Sequence, residues 1–188
     1  MLKVRFNMAL AKPLWEATRD LHHACEAHAI GESMATGHPP KIWYKAWIQA
    51  LQQIHTAVDP HVDDSIKRVT QLDLDLAVLE ETVEPLAAAT EYVATLDNAL
   101  SIDGAAYVLT GAHLMGGEIM RRRFQGHDGY PTNHLTWEDR PASLAVLQTY
   151  RTRDDISEQA RDCFQALLKI MDEIHLTYPQ IPENVTTI

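Results

Sequence analysis

His22 and Glu26 are the residues whose types and spacing point most directly to chemistry. Four positions apart on a helix, they are neighbours on one face. The carboxylate can then hold one imidazole N–H while the other ring nitrogen points its lone pair at a metal. A plain helix-surface hydrogen bond uses the same pair, and spacing alone leaves both readings open. Two Asp-x-x-His pairs, Asp20/His23 and Asp172/His175, resemble in spacing the Glu-x-x-His pairs from which di-iron sites are built on facing helices, but no motif picks out the two further carboxylates, and naming Glu118 and Glu80 for them is guesswork. Gly116 and Gly117 stand together inside a helical run from Gly104 to Phe124. They forgo about 2 kcal/mol of helix propensity. Such a pair suits a bend, a close helix crossing, or a flat ligand lying against bare backbone. The other histidines of the ten form no zinc or calcium motif.

The elements that must position these residues are helical, because apolar residues recur at helical spacing and sustained alternation is nearly absent. Pro13 suits the first turn of a helix carrying Leu14, Ala17, Leu21, Cys25 and His28 and ending near Gly31. The stripe Trp43, Ala46, Trp47, Ala50, Leu51, Ile54, Ala57 and Val58 marks a core helix ended by Pro60. Shorter helices are expected over 60–68, 72–81 and 85–100, then the glycine-bearing helix, a turn-rich stretch over 126–134, and helices over 139–152 and 155–178. Asp155 with Glu158 resembles a capping box, and Ala160, Cys163, Leu167, Met171 and Ile174 give the last helix a buried face. The expected fold is all-α, one domain over residues 1–178 with a frayed tail over 179–188.

Composition narrows the partners. With 46% hydrophobic residues in 188, the chain can bury a substantial core. A formal net charge of -10 removes the electrostatic footprint of a nucleic-acid binder and disfavours anionic membranes. Cys25 and Cys163 form no Cys-x-x-Cys pair and read as buried reduced thiols, which with no signal segment or membrane span makes a cytoplasmic protein the expectation.

Around His22, the pattern Leu14-x-Glu16-Ala17-Thr18, basic Arg19, acidic Asp20, Leu21, His22, then Glu26, resembles the proximal-helix motif of haem oxygenases. Tyr107 followed by Gly116 and Gly117 is similar to that family's distal helix, and Tyr150-Arg151-Thr152-Arg153 to its Tyr-Arg-x-Arg stretch. The last helix, with Ala160, Phe164 and Leu168, completes a resemblance running from about Leu14 to His175. It implies a helical bundle with haem sandwiched between a proximal and a distal helix. His22 would then be the iron ligand and Glu26 its hydrogen-bonding partner, with the glycines lying against the haem face. Arg151 would pair with a propionate, and Arg153 or Tyr107 would assist. The implied reaction is oxidative cleavage of haem, both substrate and cofactor, by O2 and external electrons, giving biliverdin, carbon monoxide and ferrous iron. A non-catalytic haem carrier or sensor and a non-haem iron oxidase are the alternatives.

Two departures from the family pattern matter. His113 falls where animal-type members carry a distal aspartate; as such it would donate protons, hold water, or ligate the iron itself. Shifting the alignment by one residue moves His113 off that place and makes Gly111 the distal glycine. Trp15 replaces a propionate-pairing lysine. With no flavin or nucleotide motif in the chain, electrons are expected from ferredoxin or an NADPH-dependent reductase. Arg121, Arg122 and Arg123 offer either a docking patch for an acidic carrier or a complement to their own helix dipole. The expected assembly is a monomer.

Overall fold

The computed structural model describes residues 13–180 and contains no strand among them. The ends of the expected domain and tail, residues 1–12 and 181–188, lie outside the described residues. The core is organised by α9 (Ser157–Thr177), which packs against α1 (Pro13–Ala27), α3 (Lys41–Val58), α5 (Ala87–Val93) and α6 (Ala99–Gly111). Its expected face is buried, with Phe164, Ala166 and Ile170 widening it. On α3 the apolar stripe is buried except at Trp47 and Ala57, which are half-buried, and Tyr44, Ile48 and His55 join it.

Several boundaries differ from expectation. The first helix does not end at Gly31. It breaks at His28, whose Nδ1 accepts the Ile30 N–H and caps α2 (Ala29–Thr36). Gly31 lies inside α2 because the hairpin folds back so tightly that a Cβ there would collide with the Cys25 carbonyl. The expected helix over 60–68 is instead two 3-10 turns, Asp59–His61 and Asp64–Ile66. α4 is Val69–Leu76, and the helix expected over 85–100 stops at Val93. Asn98 then opens α6 with a capping box to Ser101. At α8 (Arg140–Arg151) Asp139 caps the Ala142 N–H. Asp155 does not cap α9; it pairs with Arg153.

The glycine-bearing helix is continuous but not uniformly α. α6 runs into a π-helical segment, Ala112–Gly116, and continues as α7, Gly117–Phe124. Its start is fixed against α9 at Gly104, where a Cβ would stand 2.5 Å from Gln159 Cβ and 2.8 Å from the Ala160 nitrogen. Gly104→Ala must therefore push the two helices apart. The expected loss is about 2 kcal/mol, a fall of roughly 4–8 °C in Tm measured by circular dichroism; an unchanged Tm would show that this crossing tolerates a side chain.

Candidate functional site

On α1 the acidic partner of His22 is shared. Glu26 Oε2 lies 3.5 Å from His22 Nδ1 and 3.2 Å from His23 Nδ1, and the hydrogen bond goes to His23. His22 Nδ1 is sealed from solvent without a hydrogen bond. The ring is held by edge-on contacts with Trp15, 5.3 Å between centroids, and Phe164 of α9, 5.9 Å. Packing thus fixes the imidazole plane, and Glu26 stands near enough to reach either neighbour. Spacing alone did not reveal that His23 competes for that carboxylate, because it depends on side-chain rotamers.

The distal helix is tied to the α1–α2 hairpin at two places. Tyr107 of α6 meets Thr18 of α1 in a hydrogen bond, and the Thr18 hydroxyl donates onward to the Leu14 carbonyl at 2.6 Å. At the other end, Gly37, with a left-handed φ of 88°, abuts the Arg123 backbone of α7. Between these ties the two glycines of the pair differ. A Cβ on Gly117 would meet Leu135 at 3.2 Å, so Gly117 serves packing. A Cβ on Gly116 would meet nothing within 4 Å, so Gly116 does not serve a helix crossing. Gly111, Ala112, Met115, Gly116 and Ile119 make one solvent-accessible face, and His113, Leu114 and Gly117 make the buried one. The helix is distorted at the π segment, which inserts extra backbone into the turn.

His113 is therefore on the side of the distal helix away from its open face, not on it. It is 4% exposed, stacked on His55 of α3 at 5.5 Å and edge-on to His134 at 5.5 Å. Burial pushes its pKa well below the usual 6.5, and the nearby His55, His134 and Arg68 push the same way, so the ring is neutral. The surrounding polar groups make that burial tolerable. Asp59 accepts from His55 Nδ1 at 2.9 Å and from the Arg68 and Val69 N–H groups. Asp75, fully buried, accepts from His134 Nδ1 at 2.5 Å, the His134 N–H, and both the backbone and side-chain amides of Asn133. Arg68 lies 3.8 Å over the Trp137 ring. Asp59 and Arg68 also line a cleft of about 740 Å³ open to solvent. Sequence reasoning missed this network. His55 and Asp59 carry the same i, i+4 signature as His22 and Glu26, whereas Asp75 and His134 are 59 positions apart and meet only in the fold.

The arginines divide. Arg151, at the end of α8, has no carboxylate partner among the described residues, and its charge reaches Tyr107. Arg153 is committed elsewhere, clamped between Asp103 of α6 and Asp155, which leaves it tethering the distal helix to the α8–α9 connection. Glu118 holds Arg121 at 3.1 Å and Arg122 at 2.9 Å, so much of the basic run is neutralised locally. The Asp-x-x-His pairs do not assemble. Asp20 pairs with Arg161, Asp172 with His28, and His175 packs on Trp43.

One helix bears the packed His22, and a second is π-distorted and, among the described residues, open at Gly116. The family model described as heme oxygenase matches residues 8–173. The chain belongs to the haem oxygenase family. Its fold is similar to a haem oxygenase from Leptospira interrogans, with 19% identity and a TM-score of 0.74, covering 88% of this chain and 100% of that one. Haem oxygenase-1 from Synechocystis sp. PCC 6803, solved in complex with haem, has 19% identity and a TM-score of 0.71, covering 87% of this chain and 91% of that one. Haem oxygenase-2 from the same organism, solved with haem and NO, has 18% identity and a TM-score of 0.71, covering 87% and 84%. No curated protein matches the chain. As in the haem oxygenase fold generally, the architecture is all helical; no helix among the described residues is long and apolar enough to cross a membrane.

Proposed function

We propose that this chain binds haem between α1 and the distal helix and cleaves it oxidatively to biliverdin, carbon monoxide and ferrous iron. The observation that carries this reading is the open face at Gly116: the distal helix gives up side-chain volume where none of the described residues comes within 4 Å of a Cβ. The flanking accessible residues are apolar, Met115 and Ile119 on the distal helix and Trp15 on α1, as a macrocycle requires. His22 would ligate the iron with the ring nitrogen turned away from Glu26. Arg151, free of any carboxylate among the described residues, would take a propionate as a two-point contact, with the neutral Tyr107 phenol beside it. Bound haem would supply the redox centre at which O2 is reduced; the chain supplies orientation, exclusion of water and protons. Electrons would come from ferredoxin or a reductase, and the charge left on Arg123 after Glu118 engages its neighbours marks a weak docking patch.

The alternatives have less support. A bis-histidine haem carrier needs His113 on the open face, yet its ring is buried against His55 and His134. A di-iron oxidase needs Asp-x-x-His pairs that face one another, and these are dispersed in separate ion pairs.

The deciding experiment loads the protein with one equivalent of haemin, adds ferredoxin and its reductase in air with catalase, and follows the Soret and red bands. Soret loss with a growing biliverdin band is expected. Stable bound haem without biliverdin would instead establish a carrier. Gly116→Leu provides a sharper check, because a Cβ there meets none of the described atoms within 4 Å: haem-free Tm should hold within a few degrees, whereas haem affinity should fall at least about tenfold. Equal haem affinity would place the ring elsewhere.

A further inference from the structure

On α1, His22, His23 and Glu26 bring donor atoms within 4.8 Å of one another, the one such meeting of three histidine, cysteine or carboxylate groups among the described residues. Glu26 Oε2 stands 3.5 Å from His22 Nδ1 and 3.2 Å from His23 Nδ1. Ligands held at about 2.0–2.1 Å by a tetrahedral cation are about 3.3 Å apart. Both nitrogens therefore already lie one ligand-to-ligand distance from the carboxylate oxygen. A single hydrogen bond does not use up this donor set: Glu26 accepts from His23, and His22 Nδ1 is left sealed from solvent and without a hydrogen bond. A cation beside the carboxylate would satisfy both. The side chains that must turn to admit it are free to do so, because His23 and Glu26 are 61% and 62% exposed, whereas packing against Trp15 and Phe164 holds the His22 ring. The formal net charge of -10 favours cations near the chain.

We propose that the haem-free protein binds a divalent transition cation of the zinc class through His22 Nδ1, His23 Nδ1 and Glu26 Oε2. Two imidazoles and one carboxylate are the ligands of a borderline cation, not of calcium or magnesium, which take oxygen alone. Three protein ligands leave a fourth position to water. The consequence for haem rests on the haem oxygenase reading. There His22 turns Nε2 to the iron and keeps its proton on Nδ1, towards Glu26. The cation needs the opposite tautomer, with the lone pair on Nδ1 and the proton on Nε2, so one neutral ring cannot serve both. Cation and haem therefore exclude each other at His22. His23 has no part in holding haem and serves the cation only.

The test uses the untagged full chain without haem. Cobalt(II) should develop the visible bands of a low-coordinate ion with one equivalent bound, and zinc should displace it. His23→Ala and Glu26→Gln should each weaken cobalt binding at least about tenfold, since even an outer partner of a metal ligand is worth about 10–100-fold. In 15N-histidine protein, zinc should shift the Nδ1 signals of His22 and His23 together. Equal cobalt affinity in wild type and His23→Ala, or zinc shifts at other histidines alone, would overturn the site. At saturating zinc, the haemin affinity of the wild type should fall at least about tenfold and return on chelation, while His23→Ala should bind haemin equally with and without zinc. Zinc bound at the triad without weaker haemin binding would overturn the exclusion. A wild type that binds no haemin would overturn the haem reading, with the cobalt titration still deciding the cation site.

Discussion

His22→Ala should remove the histidine-ligated ferric haem spectrum and abolish biliverdin formation while leaving the haem-free fold intact. The separation of effects follows from the environment of the side chain. His22 is half-buried, makes no hydrogen bond through Nδ1, and contributes edge contacts to Trp15, His23 and Phe164. Its removal should cost the haem-free protein no more than about 1 kcal/mol, or roughly 2–4 °C in Tm. Loss of the axial ligand, by contrast, removes the bond that sets the iron's electronic state. His23→Ala is the matched control: it takes the hydrogen bond from Glu26 but should leave the spectrum unchanged, freeing Glu26 for His22 alone. A wild-type spectrum in His22→Ala, or its loss in His23→Ala, would reassign the ligand.

Asp75→Ala is expected to be the most destabilising single change in the network. Removing this fully buried carboxylate strands four donors, the His134 ring and N–H and the two Asn133 amides. The expected loss is about 3–5 kcal/mol, seen as a fall of roughly 6–20 °C in Tm. A loss under about 1 kcal/mol would mean that the donors find other partners. The pH dependence has a definite sign. Burial alone would raise the Asp75 pKa, but the His134 hydrogen bond and charge, with the His134 and Asn133 backbone donors, hold it below the ordinary 3.8. Its stabilisation is therefore complete above about 3.8 and is lost as pH falls through the lower folded value. His113 acts earlier. Its folded pKa is depressed, so the unfolded chain binds the proton first, and stability begins to fall as pH drops below the ordinary 6.5. Urea titrations at pH 7.5, 6 and 5 should show this early loss in the wild type and not in His113→Phe; equal slopes would count against a neutral buried ring.

The sequence by itself determined the helical class, the order of the major helices, and the local chemistry that depends on short spacing. His22 and Glu26 are adjacent because a helix makes them so, and the family resemblance rested on motifs each contained within a short stretch of chain. A glycine pair inside a helix also announced a distortion, and a π segment stands there. Helix breaks were less legible: a break at His28 depends on a side-chain cap, and helix continuation through Gly31 depends on how closely α2 folds back on α1. Only the tertiary structure decided which face of the distal helix each residue occupies. The two glycines look equivalent in sequence, yet Leu135 packs against one and nothing against the other. In sequence His113 reads as a distal group because it falls where the family resemblance places an aspartate. In the fold it lies on the buried side of the distal helix, where the His55–Asp59 and His134–Asp75 pairs provide a polar interior in which a neutral imidazole can be buried. The His134–Asp75 pair joins α4 to a loop far along the chain. No local pattern encodes such a meeting, because it is set by the packing of helices whose contacting residues are separated by dozens of positions.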